Sequence, residues 1–186
     1  MVLTHEHNDH VIGFDDVRPF NFRQKKGIPV YAVERVQEEL KRRFDYVFAE
    51  KKYPGAPTLE LHTISKDEKF EVAGIPIIPI EVIHGKLPVL GFRFGDFTYI
   101  TDARTIQEEE MEKIKGTKVL ILNALHYYEH HSHYNVPQAL EVIEQLKPEK
   151  AYLTHVSHHM GLAAEVNKVL PSNVQLAYDT QELIIN

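Results

Sequence analysis

Apolar residues recur along the chain with two different spacings, which predict strands alternating with helices. A short apolar run at 29–32 predicts a buried strand, and apolar positions three and four residues apart predict a helix over 33–48. The dipeptides Ala73-Gly74 and Gly95-Asp96 each separate two apolar stretches, a pattern typical of β-hairpins. The predicted hairpin strands are 69–72, 75–83, 89–94 and 97–101. Further on, the spacings predict helices over 108–115, 136–146 and 162–170, and strands over 118–122 and 151–154.

Three further segments complete the predicted order of elements. Residues 11–23 mix apolar and acidic side chains and predict a short helix, whereas residues 53–57 form a loop by their Pro and Gly content. Residues 174–185 predict two closing strands. Because hairpins alternate with helices, the chain is expected to form a layered α/β domain.

Composition restricts the class of protein. The chain has 186 residues, 43% apolar and 26% charged, which is enough for one soluble domain with a core. Its net charge is −6 and its basic residues are scattered, so a nucleic-acid partner, which requires a broad basic face, is not expected. No apolar run is long enough to span a membrane and the N-terminus does not resemble a signal peptide, which predicts a cytoplasmic protein with no membrane partner.

Histidine and cysteine are both used unusually. The absence of cysteine excludes disulfides and thiolate ligands within this chain, whereas there are 12 histidines, three of them in the stretch Thr4–His10. On an extended segment His5, His7 and Asp9 are expected on one face, and His10 joins Asp9 where the chain turns. Imidazole nitrogen and carboxylate oxygen are ligands that zinc and similar divalent ions prefer. Four such groups in so short a span favour two adjacent ions over one.

The spacing Thr-His-x-His-x-Asp-His resembles the signature of the metallo-β-lactamase superfamily, and Thr4–His10 matches it at every fixed position. Within that superfamily the chain is most similar to the phosphodiesterase branch, which includes the phosphoribosyl cyclic phosphodiesterases and, more distantly, tRNase Z. The resemblance implies an αββα sandwich, in which helices cover two facing mixed sheets. It also implies that residues 1–186 form a single domain of this kind.

Three segments predicted as strands each run into a further potential ligand, which is His84, Asp102 or His155. Ligands at strand ends have rigid support beside loops that can open to substrate. The resemblance implies one ion held by His5, His7 and His84, another held by Asp9, His10 and His155, and Asp102 as the bridge between them. The implied cofactors are two divalent ions: zinc suits imidazole best, and the carboxylates also admit manganese or iron. Because metal ions lower the pKa of bound water, a bridging hydroxide is expected near neutral pH.

A second histidine-rich stretch, residues 126–135, precedes the helix predicted at 136–146. Read as a polar loop with Asn135 capping the helix, it needs no function, and no role is assigned to His126, His130 and His131. His133 differs, because 133–139 is similar to the segment where phosphodiesterase members carry a catalytic histidine that is not a metal ligand. A protonated imidazole there would stabilise charge on the phosphoryl oxygens or protonate the leaving alkoxide.

Two features depart from the family pattern. Family members carry several strands before the histidine motif, whereas here the motif begins at residue 4. His158 matches a histidine that in cyclic phosphodiesterase relatives binds a structural zinc together with N-terminal cysteines, which this chain lacks. Both departures favour an N-terminally incomplete form of a longer enzyme. The alternative is a natural short form that a partner chain or a different sheet edge completes.

These features together predict a binuclear metal phosphodiesterase acting on a small or cyclic phosphate ester, with Asp9 and His133 as catalytic residues. One alternative is tRNA 3′ processing, which the acidic balance disfavours. Thioester or β-lactam hydrolysis is another, although His133 then has no clear task. The non-enzymatic alternative is an inactive metal-binding fragment, dimeric through an exposed sheet edge.

Overall fold

The computed structural model describes residues 1–185, which form two compact units, Met1–Ser65 and the part of the chain from Lys66 onward. Each unit has its own sheet and its own cluster of buried apolar side chains. This combination of helices and strands confirms the predicted α/β class.

The first unit packs short helices on a parallel pair of strands. The strands are β1, Ile28–Ala32, and β2, Leu59–Thr63. The helices are α1, Asn8–Val11, α2, Arg18–Gln24, α3, Glu34–Arg43, and α4, Asp45–Phe48, with a 3₁₀ segment, Ile12–Val17, before α2. Val30 of β1 and both Val36 and Leu40 of α3 are fully buried, so the core of this unit lies between β1 and α3.

The helix predicted over 33–48 is interrupted at Phe44. The backbone there has φ −113° and ψ 45°, which ends α3 before α4 begins at the next residue. Phe44 and Val47 nevertheless belong to the same apolar cluster as α3. Because the apolar spacing continues through the break, the periodicity gave no sign of it.

The second unit is built on one mixed sheet, which has eight strands over the described residues from Lys66 to 185. Its strands are β3, Phe70–Val72, β4, Ile75–His84, β5, Leu87–Phe94, β6, Phe97–Ile100, β7, Thr105–Ile106, β8, Val119–Asn123, β9, Lys150–Thr154, and β10, Val174–Leu176. The order across the sheet is β10-β9-β8-β6-β5-β4-β3, and β7 pairs with β4. The strands from β3 to β6 are antiparallel, and β6, β8, β9 and β10 run parallel.

Three helices accompany this sheet, and their apolar side chains join its core. They are α5, Glu108–Ile114, α6, Val136–Leu146, and α7, Ala163–Val169, with a 3₁₀ turn at His158–Met160. Ile80 and Leu122 from the sheet, Ile114 from α5 and Ala139 from α6 are all fully buried in one cluster. Because β6, β8 and β9 run parallel, their carboxyl ends lie together on the same side of the sheet.

The two hairpin turns and the start of α6 lie where the sequence predicted them. Both predicted hairpins form, and their turns contain Ala73, Gly74 and Gly95 at positive φ, the conformation that tight hairpin turns require. The Asn135 side chain accepts a hydrogen bond from the Gln138 main-chain N–H at 2.9 Å, and the Gln138 side chain accepts one from Asn135 N–H. This capping box fixes the start of α6, directly after the histidine-rich loop.

The C-terminal prediction is only half right. β10 pairs with β9 over Val174–Leu176, but residues 177–185 form no second strand. The chain turns at Asp179 and Thr180, where Thr180 has φ +67°, so the apolar residues beyond it do not continue the sheet. The two-residue strand β7 was missed because it is too short to show a periodicity. None of the helices in residues 1–185 has the length and apolar content to cross a membrane.

Candidate functional site

The predicted site residues fall into two clusters, one in each unit. The motif cluster consists of His5, His7, Asp9 and His10. The strand-end cluster consists of His84, Asp102, His133 and His155.

In the motif cluster, the imidazole rings of His5, His7 and His10 contact one another. His5 is fully buried, its Nδ1 lies 3.0 Å from Thr4 Oγ1, and its Nε2 lies 3.1 Å from His7 Nδ1. Its ring centroid is 4.6 Å from that of His7 and 4.1 Å from that of His10. The expectation that alternation on an extended segment brings His5 and His7 to the same side agrees with this geometry.

Asp9 reaches the motif cluster differently from the way the sequence pattern predicted. The extended segment ends at His7, whose carbonyl accepts a hydrogen bond from His10 N–H at 3.0 Å, and α1 starts at Asn8. Asp9 therefore lies in a helical turn, and the expectation that it shares an extended face with His5 and His7 is wrong. Its Oδ2 lies 3.2 Å from His10 Nε2, so the helical turn brings the carboxylate to the imidazole.

Glu6 and Asn8, which alternate with the other motif residues, are held by side chains of α3. Glu6 forms an ion pair with Arg35, and Asn8 Oδ1 accepts a hydrogen bond from Arg43 Nη1 at 2.6 Å. Neither arginine was singled out by the sequence argument, since both belong to an ordinary charged helix face. These contacts tie the side chains between the histidines to α3.

In the strand-end cluster, each predicted ligand follows a strand of the same sheet. His84 is the last residue of β4, Asp102 follows β6 by two residues, and His155 directly follows β9. Asp102 and His155 have φ values of +60° and +55°, in the left-handed region that residues with a β-carbon rarely adopt. Such backbone is maintained only where the surrounding structure imposes it, and it clusters at functional sites.

Three imidazole nitrogens converge on one carboxylate oxygen of Asp102, which is 2% exposed. His155 Nε2 lies 3.3 Å from Asp102 Oδ1, His133 Nδ1 lies 3.7 Å away, and His84 Nε2 lies 4.0 Å away. The last two distances are too long for hydrogen bonds. The donor atoms of His84, Asp102 and His133 are close enough together to hold one metal ion.

The tautomer of His84 is fixed by the histidine-rich loop. Its Nδ1 lies 2.9 Å from the carbonyl oxygen of Ser132, which can only accept a hydrogen bond. In the neutral ring Nδ1 therefore carries the proton, and Nε2, the atom that faces Asp102, carries the lone pair. A hydrogen bond of this kind to the far nitrogen is typical of histidines that bind metal ions.

Asp102 is positioned by Asn123, which the sequence argument missed. Asn123 is fully buried at the end of β8, and its amide donates to Ala103 O at 2.9 Å and accepts from Ala103 N–H at 2.7 Å. Thr101 Oγ1 also donates to Asp102 Oδ2 at 2.6 Å. The sequence did contain a signal, because a polar residue closing the apolar strand Val119–Asn123 needs buried hydrogen-bond partners.

His133 lies among the strand-end ligands, and its Nδ1 is buried without a hydrogen-bond partner in the described part of the chain. Burial lowers its pKa to about 4, although the nearby Asp102 carboxylate acts in the opposite direction. The ring is therefore neutral at physiological pH in the absence of other charges, unlike the protonated imidazole that the sequence argument expected. That His133 acts in catalysis without binding metal stays a prediction.

The residues of the strand-end cluster fit a divalent metal ion. His84 Nε2, which carries a lone pair, lies 4.0 Å from the buried Asp102 Oδ1, and His155 Nε2 lies 3.3 Å from the same oxygen. A cation fits among these atoms, because imidazole with carboxylate is the donor set that zinc prefers. In the motif cluster, the contacts among His5, His7 and His10 bring together donors of the same type.

The chain is similar in sequence and in fold to known proteins. A curated protein of Porphyromonas gingivalis (strain ATCC BAA-308 / W83), named octanoyltransferase, is 38% identical over 187 residues, and the match covers 100% of this chain but 38% of that protein. The crystal structure of a new diphosphatase from the PhnP family has a TM-score of 0.89 at 36% identity, covering 100% of this chain and 70% of that one. Human tRNase Z, short form, has a TM-score of 0.68 at 15% identity, covering 97% of this chain and 76% of that one, which shows a common fold alone.

The family comparison covers most of the chain. Residues 1–156 match the family described as beta-lactamase superfamily domain, and this range includes both clusters. The fold predicted from the motif is confirmed by this match and by the similarity to the diphosphatase structure. The chain belongs to the metallo-β-lactamase superfamily.

Proposed function

We propose that the chain is a metal-dependent hydrolase that cleaves a phosphodiester or related phosphate bond in a small or cyclic substrate. The observation that carries the proposal is the convergence of His84, His133 and His155 on the buried Asp102. The proposed ligands of two divalent ions, zinc by preference, are His5, His7, Asp9, His10, His84, Asp102 and His155. When bound, such ions polarise phosphoryl oxygens and lower the pKa of water.

The residues of the chain have separate tasks in this reaction. Water supplies the oxygen that bonds to phosphorus, the bond from phosphorus to the leaving oxygen breaks, and the leaving oxygen takes up a proton. His133, which lies beside Asp102 on a loop that a capping box fixes, is the proposed group that takes the proton that water loses and passes it to the leaving oxygen. Asp9, whose carboxylate contacts His10, is the other proposed catalytic residue.

Similarity to a PhnP-family diphosphatase supports phosphate chemistry over other reactions of this fold. That structure is matched over the whole of this chain, and it exceeds 30% identity. The acidic net charge of −6 favours a small substrate over a nucleic acid, which would need a basic surface.

The test combines metal content with turnover of an aryl phosphodiester, bis(p-nitrophenyl) phosphate. We expect about two metal ions per chain by elemental analysis, and hydrolysis that depends on them. His133→Ala should lower turnover while the metal content stays unchanged. Loss of metal in that variant would show that His133 is a ligand, and metal-loaded protein without phosphodiesterase activity would contradict the proposed function.

Thioester hydrolysis is the second candidate. It is favoured by the similarity to the protein named octanoyltransferase, although the matched region covers only 38% of that protein. Hydrolysis of an octanoyl thioester by the metal-loaded chain, measured beside the phosphodiester assay, separates the two candidates. A clear preference for the thioester would replace phosphate chemistry with acyl chemistry at the same site.

A further inference from the structure

A cleft in the first unit lies between α2 and the loop that leads into β2. Its volume is about 310 Å³, at the lower end of the range for small-molecule pockets. Its lining includes Arg18, Phe22, Lys25 and Lys26 on one side and Thr58 on the other. Among the described residues, those that line the cleft do not belong to the motif cluster, so the proposed reaction leaves the cleft without a task.

The two walls of the cleft are held together by Asn21. Its Nδ2 donates to the main-chain oxygens of Lys26 at 3.0 Å and Thr58 at 2.8 Å, and its Oδ1 accepts a hydrogen bond from Thr58 N–H at 3.1 Å. Ile28 N–H also donates to Thr58 O at 2.9 Å. These hydrogen bonds fix the end of α2 against the start of β2, so a ligand would enter a cleft that is already formed.

The lining of the cleft carries three cations. Lys25 has a φ of 53°, so the chain turns at the end of α2, and both Lys25 and Lys26 line the cleft together with Arg18. Within residues 1–185 neither of these two lysines forms an ion pair, whereas Lys66, Lys113, Lys115, Lys118 and Lys168 do. Two ammonium groups and a guanidinium beside one cleft attract an anion.

Three carboxylates lie close by but outside this lining. Asp15 and Asp16 line a neighbouring cleft, and the Glu60 carboxylate packs against Gly27. Arg18, which lines both clefts, donates from Nε to the main-chain oxygen of Asp15 at 3.2 Å. The carboxylates therefore weaken the positive potential, but none of the described ones is part of the lining that an anion would contact.

Phe22 gives the cleft an aromatic wall that is open to solvent. The residue is 69% exposed and lines the cleft, whereas Phe20, two positions earlier in α2, is 55% exposed and does not line it. An exposed aromatic ring offers a face on which a planar ring stacks. The cations beside it would bind a charged group attached to that planar ring.

We propose that this cleft binds a nucleoside monophosphate, with the base stacked on Phe22 and the phosphate held by the three cations. Phosphate oxygens accept charge-assisted hydrogen bonds from ammonium and guanidinium groups. The volume of about 310 Å³ suits one nucleotide and not a longer strand. The inference does not depend on the proposed function, because no residue of the metal clusters takes part in it.

The experiment measures binding of AMP and of ribose 5-phosphate, which lacks the base, to the zinc-loaded chain by magnetic resonance titration. Lys25→Gln/Lys26→Gln should lower the affinity for both ligands on the order of tenfold or more, because both carry the phosphate. Phe22→Ala should lower the affinity for AMP by about tenfold and leave that for ribose 5-phosphate within about twofold. All three positions are exposed, so the variants should fold as the wild type does.

The controls are Phe20→Ala and Lys51→Gln/Lys52→Gln, which change exposed residues of the same types in the same unit outside the lining. Both should bind AMP as the wild type does. Asp102→Ala should also keep its AMP affinity, since the buried carboxylate of the strand-end cluster is not part of the cleft.

Four results would overturn the nucleotide site. They are no binding of AMP by the wild type, unchanged AMP binding in Phe22→Ala or in the lysine variant, an equal loss in the controls, and a loss in Asp102→Ala, which would place AMP at the metal ions. An oligoadenylate strand that binds more than about tenfold tighter than AMP would replace the free nucleotide by a nucleic acid. A chain that hydrolyses no phosphate ester would contradict the proposed function and leave the result for this cleft unaffected.

Discussion

The motif cluster and the strand-end cluster supply the same types of ligand by opposite means. The motif cluster takes its donors from one contiguous stretch, and its carboxylate is largely open to water, since the Asp9 side chain is 62% exposed. The strand-end cluster takes its donors from three strands and a loop, and the Asp102 side chain is 2% exposed. A short peptide can bring ligands together, but only a sheet with a packed core can bury a carboxylate among them.

The difference has an energetic meaning. Burying a carboxylate without a partner lowers the free energy of unfolding. Removing the carboxylate or its partner therefore changes the stability of the site more at a buried position than at an exposed one. Metal binding and stability should therefore be more sensitive to each residue of the strand-end cluster than to each residue of the motif cluster. Five substitutions test this comparison, beginning with the largest expected effect.

Replacement of the two carboxylates tests the comparison directly. We expect Asp102→Ala to lower phosphodiester turnover on the order of a hundredfold or more and to reduce the metal content, because three imidazoles lose their common partner. Asp9→Ala should reduce metal content less. Elemental analysis and initial rates measure both effects, with Asp96→Ala as the surface control, since Asp96 pairs with Lys118. A larger metal loss in Asp9→Ala would reverse the comparison.

Replacement of Asn123 tests whether the main chain behind Asp102 matters for metal binding. Asn123→Ala removes two buried hydrogen bonds to Ala103, which should lower the free energy of unfolding by about 2–4 kcal/mol. The metal affinity should fall about tenfold or more, as expected for a residue that orients a ligand. Denaturant unfolding and metal titration measure these effects, with Asn173→Ala as a partly exposed control. Unchanged metal affinity would make Asn123 a purely structural residue.

Replacement of Arg35 tests the support of the motif cluster. Arg35→Ala leaves the buried side of Glu6 without its ion pair, and we expect a loss of about 1 kcal/mol in the free energy of unfolding. Metal affinity should fall by a smaller factor than in Asn123→Ala, because the motif histidines also contact one another. Arg42→Ala, which breaks an exposed pair with Glu39 on the same helix, is the matched control. The same metal affinity in both arginine variants would show that α3 does not support the motif.

Replacement of Asn135 should have the smallest effect on the metal site. Asn135→Ala removes the cap of α6 and should cost about 1 kcal/mol in the free energy of unfolding, since one helix end loses its side-chain acceptor. Metal content should not change, because Asn135 contacts none of the ligands through its capping hydrogen bonds. Thermal unfolding and elemental analysis check both expectations. A loss of metal would show that the start of α6 also positions the histidine-rich loop.

The two clusters also differ in how far the sequence could predict them. The motif cluster was visible because its ligands are neighbours, and only the helical turn at Asp9 was missed, since local hydrogen bonding from His10 to His7 ends the extended segment early. The strand ends at His84 and His155 could be located from apolar runs, but their roles came from the family resemblance. Periodicity reports which face of an element is buried and carries no information about distances between elements.

The supporting contacts were beyond the reach of the sequence for a different reason. Arg35 pairs with a residue that is distant along the chain and leaves no pattern in the hydrophobic order. Asn123 interrupts an apolar run, but the sequence does not show that its partners are the main-chain groups of Ala103. The same holds for the break at Phe44, where apolar spacing continues although the helix does not. Such features depend on tertiary packing, which overrides local propensity.

The left-handed backbone at Asp102 and His155 has a consequence for the kinetics of metal loading. Both residues hold a conformation that costs about 1–2 kcal/mol, and the folded sheet maintains it through strand ends and the Asn123 contacts. The conformational search for these ligands is thus completed during folding rather than when an ion arrives. Metal uptake by the folded apoprotein should accordingly be a second-order process limited by encounter and ligand desolvation, with rates that rise in proportion to the free metal concentration.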